Sequence, residues 1–346
     1  MTTVRLPPEF RTAEDVTRWC HAVVGAALRA EVDLMPGSMR LIAGYHFGWV
    51  DRHGDPDVGR PGKAIRPALV VLAAKAVGGD PEAAVPAAVA VELVHNFSLL
   101  HDDVMDRDPV RRHRPTAWTV FGESPAILAG DALLAMAPRA LARGTTPNAA
   151  TAAEWLTDAV LDLCEGQHAD LAFETRTDVD LDECVRMAEG KTGALLGLSC
   201  ALGALVGGAT PERAGRLRSF GHHLGLAYQL VDDLLAVWGD PAVTGKPVGA
   251  DLVHRKKSLL AVAALTSGSP AAVELADLYS RDRALDPDEV PRVTALIERT
   301  GAREWARSRA AQEMADAAGH LEAADCDPAT SETLLEVAGK IIGRDH

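Results

Sequence analysis

Two long apolar runs in this chain each end in adjacent aspartates, and no other feature narrows the possible folds as much. The first run is VELVHNFSLLHDDVMDRDPVRRHR, from Val91 to Arg114. Val91, Val94 and Phe97 recur at every third position, the spacing of one helix face. The run then delivers Asp102, Asp103 and Asp106. On a helix, Asp102 and Asp106 stand one turn apart on the same face, where like charges repel unless a cation lies between them. Hard divalent cations want oxygen ligands, and Mg²⁺ is commonly held by one or two carboxylates together with substrate phosphates. Arg111, Arg112 and Arg114 follow closely, and guanidinium forks match phosphate oxygens. The second run, AYQLVDDLLAVWGD, carries Asp232 and Asp233 in the same manner. A lone acid cluster of this kind is ordinarily a solvated helix end. Two of them, each closing an apolar helix, predict carboxylates that face each other across one cavity and a phosphorylated ligand held through a divalent metal.

The rest of the chain predicts an all-α protein. Ala and Leu dominate the 47% of hydrophobic residues, while strand formers are sparse. Helical patterns cover about 10–30, 35–50, 64 onward, 124–142, 149–174, 179–190, 192–208 and 211–238. A Gly- and Pro-containing loop is expected over 239–254, and further helices over 257–346. No fixed repeat and no long linker interrupts the 346 residues, so a single domain over 1–346 is expected. The uncharged run from Thr192 to Pro211 is long enough to cross a bilayer. It is rich in Gly and small residues and is closed by Lys191 and Glu212, which predicts a buried core helix and no membrane span. A net charge of -14 argues against a nucleic-acid or anionic-membrane partner, and means that an anionic ligand needs metal and local cations. The five cysteines form no CxxC pair, and the opening MTTVRLPPEF shows no apolar signal segment. Reduced thiols in a cytoplasmic protein are therefore expected.

Other residues gain weight from their surroundings. Lys63 and Arg66 flank the start of a helix, where cations are mildly unfavourable unless an anion binds there; the plain alternative is two surface cations. His95 lies two turns before Asp102, although a lone histidine is more often a satisfied core group. Gln167 and Asp170 share a helix face in EGQHAD and could equally be a polar surface. Lys191 and Thr192 stand at the mouth of the uncharged helix. Gln229, one turn before Asp232, is an amide among apolar residues and needs a partner. Lys246 follows Thr244 and Gly245 in the Gly-rich loop. Arg255, Lys256 and Lys257 form a basic run whose plain reading is a solvated helix start.

Taken in order, GKAIRP, HNFSLLHDDVMDRDPVRR, EGQHAD, KTG, YQLVDD, GDPAVTGK and RKKSL resemble the trans-isoprenyl diphosphate synthases, or polyprenyl synthetases, from about residue 62 to 260. The resemblance implies a large helical bundle around a deep central cavity, usually a homodimer. It implies head-to-tail condensation of isopentenyl diphosphate with an allylic diphosphate. Asp102, Asp106 and Asp232 would then bind Mg²⁺, three ions per active site. Arg111, Lys191 and Lys246 would hold the allylic diphosphate, and Lys63, Arg66, His95 and Arg112 isopentenyl diphosphate. Thr192 and Gln229 would face the carbocation, and Lys256 would close over the site. An allylic cation needs a dry apolar cavity, which agrees with apolar helices that carry acids at one end only. The chain departs from the family where the second motif commonly has a third acid, here Ala236. Phe97, an aromatic five residues before Asp102, and the small Ser98 beside it resemble synthases of the C20 product, geranylgeranyl diphosphate. A farnesyl (C15) or longer product, a terpene cyclase and a non-catalytic subunit are the alternatives. A cyclase would not need the second diphosphate site that Lys63, Arg66 and Arg112 supply, and a non-catalytic subunit would be expected to lose acids or arginines that this chain keeps.

Overall fold

The computed structural model describes residues 9–57, 59, 62–144, 146, 148–239, 249–281 and 283–343, which fall into two compact units. The first takes residues up to 157 with 198–218 and 321–337; the second takes 158–197, 219–320 and 338 onward. Both are helical, as the Ala- and Leu-rich composition predicts. Among the described residues the one strand ladder is a small hairpin, β1 (Val110–Arg111) against β2 (Arg114–Pro115).

The first unit contains α1 (Ala13–Val32), α2 (Gly37–His46), α3 (Ile65–Ala76), α4 (Val85–Met105), α5 (Ala117–Phe121) and α6 (Glu123–Leu141). α1 begins where Thr12 and Asp15 cap each other's backbone N–H groups. α4 packs along α6, α3 and α1. From Ala87 to Val94 every residue of α4 except Glu92 is buried. Burial on all sides requires small side chains, and Ala87, Ala88 and Ala90 on α4 meet that need, as do Ala126, Ala129 and Gly130 on α6. Each buried Val or Leu contributes about 1.5–3 kcal/mol, enough to hold α4 in place although its last turn is acidic.

The second unit is built around α8 (Leu181–Ala188), α11 (Ala250–Val253), α12 (Leu259–Leu265), α13 (Pro270–Tyr279) and α14 (Val290–Arg299). α7 (Ala149–Phe173), α9 (Ala194–Val206), α10 (Pro211–Trp238), α15 (Ala302–Ala323) and α16 (Pro328–Ile342) run through both units. Its core joins Leu226, Leu230 and Leu234 of α10 to Cys184 and Met187 of α8 and Leu259 and Leu260 of α12. The uncharged run after Lys191 is largely α9, buried along its length. No helix among the described residues is long and apolar enough to cross a membrane. The loop expected over 239–254 contains the short helix α11. All five cysteines are free thiols.

Candidate active site

In the first unit, the end of α4 sets out the acid motif as helix geometry requires. Asp102 is half-buried and Asp106, one turn on, is exposed. Asp103 points about 100° away from Asp102, turns inward and is 1% exposed. It accepts a hydrogen bond from Arg111 Nε at 2.6 Å. Burial pushes the Asp103 carboxyl up to about 6, against the pull of Arg111. Arg111 lies on β1, and the two residues of the turn into β2, Arg112 and His113, have φ of 51° and 63°. Such turns normally use Gly or Asn. Left-handed backbone at side-chain-bearing residues costs of order 1–3 kcal/mol each and is typical of functional sites. The turn as a whole is exposed, yet it lays the Arg112 guanidinium against Gly62, where a Cβ would meet Nη2 at 3.4 Å.

Lys63, next in the chain, is exposed. Ala64, at φ 50°, turns the backbone into α3, and Arg66 stands in its first turn. His95 of α4 lies among these cations. Burial, then Arg66, Arg112 and Arg111, push its imidazole far below the usual range, so it is neutral. His46, at the end of α2, is pushed down to about 3 by burial and by Arg112 and Arg111. The structure thus gathers Arg66, His95, Arg111 and Arg112, with Lys63 beside them, and adds His46, which the sequence did not single out. Phe97 is 6% exposed and meets His101 edge-on at 4.8 Å. Ser98 Oγ donates back to the His95 carbonyl at 2.8 Å.

In the second unit, two close backbone approaches position the polar groups. Between α8 and α9 the chain forms a π-helical turn, Glu189–Gly193, a feature often found at functional sites. Gly190 of this turn abuts α7: a Cβ there would lie 3.2 Å from the Gly166 backbone. One turn past Gly166 is Asp170, and beside Gly190 is Lys191. Lys191 Nζ reaches Asp170 at 2.5 Å, and Lys256 Nζ reaches the same carboxylate at 3.0 Å. Burial raises the Asp170 carboxyl, but Lys256 and Lys191 outweigh it and hold it below the usual range. Gly193 in turn abuts Gly225 of α10, where a Cβ would lie 2.6 Å from the Gly193 Cα. One turn past Gly225 is Gln229, and beside Gly193 is Thr192, whose hydroxyl donates to Gln229 Oε1 at 2.9 Å. Gln229 Nε2 donates to Asp233 Oδ1 at 2.9 Å, and the Leu260 backbone N–H donates to Asp233 Oδ2 at 3.3 Å. Burial pushes the Asp233 carboxyl up to about 7 despite these donors. Asp232 is exposed.

The basic run at 255–257 is not a solvated helix start. Lys256 faces Asp170, Lys257 is buried with its ammonium on the Glu174 carbonyl at 3.0 Å, and Arg255 donates to the Tyr279 carbonyl at 3.0 Å. Lys246, with Thr244, lies outside the described residues.

In each unit the outward-facing carboxylates suit a hard divalent cation. Asp102 and Asp106 close α4 of the first unit, with no basic residue in its last turn, and Asp232 is an exposed carboxylate on the α10 part of the second. Buried polar atoms without a hydrogen-bond partner occur at both amide atoms of Gln167, one turn from Asp170, and at Asp103 Oδ2. Such atoms cost about 1–3 kcal/mol each. Elsewhere, among the described residues, His223, Glu313 and Asp316 place ligand atoms within 4.8 Å of one another. There Glu313 is already satisfied by Arg309 Nε and His223 Nδ1, each at 2.6 Å, which makes the group a closed ion-pair network. Asp170 was level with a polar helix face in the sequence, and Asp103 and Asp233 differ from their neighbours only in helix direction, a signal present in the spacing.

The polyprenyl synthetase family model matches residues 49–297, a span that includes every site residue predicted from the sequence, from Lys63 to Lys256. A (2E,6E)-farnesyl diphosphate synthase of Mycobacterium tuberculosis is 47% identical, over 88% of this chain and 88% of its own. A geranylgeranyl diphosphate synthase of the same species is 50% identical, over 81% of each chain. The crystal structure of a polyprenyl synthetase from Streptomyces coelicolor A3(2) matches with a TM-score of 0.91 at 44% identity, covering 95% of this chain and 99% of that one.

Proposed function

Because the chain belongs to the polyprenyl synthetase family and is a prenyltransferase that elongates isoprenoid chains, we propose that it condenses isopentenyl diphosphate head-to-tail with an allylic diphosphate, with C20 geranylgeranyl diphosphate as its main product. The cation cluster of the first unit carries the reading. Arg66, His95, Arg111 and Arg112 with Lys63 form a diphosphate-grade group whose histidines stay neutral, and Lys191 and Lys256 form a second cationic pair. A cyclase would need only one such group.

In this reading Asp102, Asp106 and Asp232 would hold Mg²⁺, three ions per site, and Mg²⁺ when bound neutralises the leaving diphosphate as the allylic C–O bond ionises. Arg111, Lys191 and Lys246 hold that diphosphate. Arg111 spends one of its five N–H donors on Asp103. Lys63, Arg66, His95 and Arg112 hold isopentenyl diphosphate, Thr192 and Gln229 face the cation with oxygen atoms, and Lys256 closes the site. The diphosphate leaving group accepts the final proton, so no protein base is required. Ala236 offers only a methyl group where the family commonly has an acid. A cytoplasmic homodimer is part of the reading, supported by the free thiols and the family resemblance; light scattering checks the stoichiometry.

The product length rests on Phe97, since the two mycobacterial relatives are almost equally similar and differ in the product they are named for. Phe97 lies roughly 7 Å along α4 from Asp102, with the small Ser98 next in sequence and the His101 ring edge-on to it. Incubation of the purified protein with Mg²⁺, labelled isopentenyl diphosphate and each allylic primer, read by chromatography, should give C20 as main product, and Phe97→Ala longer chains. A C15 product would keep the condensation and remove the length assignment. No incorporation with any primer would sink the condensation itself.

A further inference from the structure

We propose that Asp233 is a positioning residue that fixes the electrical polarity of the Thr192–Gln229 pair. The inference rests on the reading of that pair as the groups facing the allylic cation. The second acid motif divides its labour: Asp232 is exposed, whereas Asp233 is 5% exposed and turned into the second unit. There it meets two N–H donors and nothing else polar at hydrogen-bond distance among the described residues, Leu260 N at 3.3 Å and Gln229 Nε2 at 2.9 Å.

The direction of each bond in this chain follows from the one before it. The Leu260 N–H is a backbone donor, so Oδ2 accepts. Gln229 presents its NH₂ to Oδ1 at 2.9 Å, so both oxygens of the ionised Asp233 carboxylate accept. The amide oxygen of Gln229 is then committed to the other side, where it meets Thr192 at 2.9 Å. Two oxygens cannot face each other without a hydrogen, so the Thr192 O–H points at Gln229. The Thr192 oxygen is left with lone pairs only for whatever else approaches it. A developing cation is stabilised by oxygen lone pairs and opposed by an O–H or N–H dipole. Preorganised dipoles of the correct sign are a large part of catalysis, and loss of one typically costs 10²–10³ in kcat.

The same carboxylate also anchors the start of α12. Ser258 Oγ accepts from the Ala261 N–H and Asp233 from the Leu260 N–H. The residues just before α12 include Lys256, which reaches Asp170 at 3.0 Å, and Lys257, whose carbonyl accepts from Cys184 Sγ at 3.1 Å. Asp233 therefore joins the α10 side of the unit to the strap that carries Lys256.

Asp233→Asn tests the polarity at almost constant volume. Its amide must point NH₂ at one of two donors, and the backbone N–H cannot turn, so Gln229 is the side that reverses. Gln229 then offers NH₂ to Thr192, and the Thr192 O–H swings away toward the substrate. The expected result is a fall in kcat of roughly 10²-fold, with both Michaelis constants within about threefold and an unchanged melting temperature. Adding Gln229→Glu restores an acceptor on both sides at the same net charge, and should recover at least about tenfold of the loss. A kcat for Asp233→Asn within about threefold of wild type overturns the proposal. So does a loss that the double substitution fails to recover, or one expressed equally in the Michaelis constants. The relay is also read without turnover, by hydrogen exchange at the Leu260 amide and the Gln229 side-chain amide. Protection in the wild type that is lost in Asp233→Ala supports it, and unprotected amides in the wild type sink it. Absence of wild-type turnover would instead sink the condensation reading, which this second measurement leaves separate.

Discussion

Adjacent aspartates in each motif serve different purposes because successive helix residues point about 100° apart. Asp102 and Asp232 face outward, while Asp103 and Asp233 are buried on Arg111 and on Gln229 with Leu260. Asp102→Ala should therefore lower kcat by at least ~10²-fold while shifting the melting temperature by no more than a few degrees, since little core packing is lost. Activity within a few-fold of wild type, with Mg²⁺ as the sole divalent cation, would remove the metal-ligand assignment. Arg112 gives a second test at this scale. Its guanidinium lies by Gly62, next to Lys63, whereas Arg111 is tied to Asp103. A charge-assisted hydrogen bond is worth about 1.5–3 kcal/mol, so Arg112→Ala should raise the Michaelis constant for isopentenyl diphosphate roughly tenfold to a hundredfold and that for the primer much less. Equal effects in steady-state kinetics would mean that the arginines are shared.

At the scale of elements, glycine contacts decide which polar groups meet. Gly166 and Gly225 each precede a site residue, Asp170 and Gln229, by one helical turn, and each presses on the π-helical turn that carries Lys191 and Thr192. A Cβ on Gly225 would sit 2.6 Å from the Gly193 Cα, and overpacking of this kind costs about 1–3 kcal/mol. Gly225→Ala should lower both melting temperature and kcat, because the Thr192–Gln229 bond must lengthen when the backbones part. Gly215, on the same helix, has nothing within 4 Å of an added Cβ, so Gly215→Ala should be neutral or stabilising by up to about 1 kcal/mol. If thermal melts show equal effects, the close approach is not what positions the pair. The helices bearing the acid motifs were legible from apolar period and acid spacing, because burial on one face enforces both. The π-helical turn and the two-residue hairpin were not, since neither has a period and both depend on what the chain packs against. The strained turn at Arg112 and His113 breaks the local preference for Gly or Asn, so propensity pointed away from it. Lys256 and Lys257 looked like solvated cations because their partners, Asp170 and the Glu174 carbonyl, are distant in sequence.

For the molecule as a whole, the net charge of -14 and the nature of the ligand are in conflict unless binding is coupled. A diphosphate meets a repulsive overall field, and the cationic groups in the two units must overcome it locally. On the proposed reading, the outward carboxylates make this worse until a divalent cation binds, and that cation would in turn be held more tightly when phosphate oxygens complete its shell. Mg²⁺ and inorganic diphosphate should therefore each shift the thermal transition little alone and strongly together. At concentrations near 100 times the dissociation constant, the joint gain is about 2.7 kcal/mol, a shift of several degrees for a chain of this length. Asp102 belongs to the first unit and Asp232 to the second, which makes the effect of single substitutions informative. If the carboxylates of both units serve one reaction, Asp102→Ala and Asp232→Ala should each abolish the joint shift measured by differential scanning calorimetry. A shift that survives Asp232→Ala but not Asp102→Ala would mean that the first unit binds Mg²⁺ and diphosphate by itself, and the second acid motif would then need a different role. Simple additivity of the separate Mg²⁺ and diphosphate shifts in the wild type would break the coupling argument, because it would show that neither ion needs the other to offset the protein's own negative field.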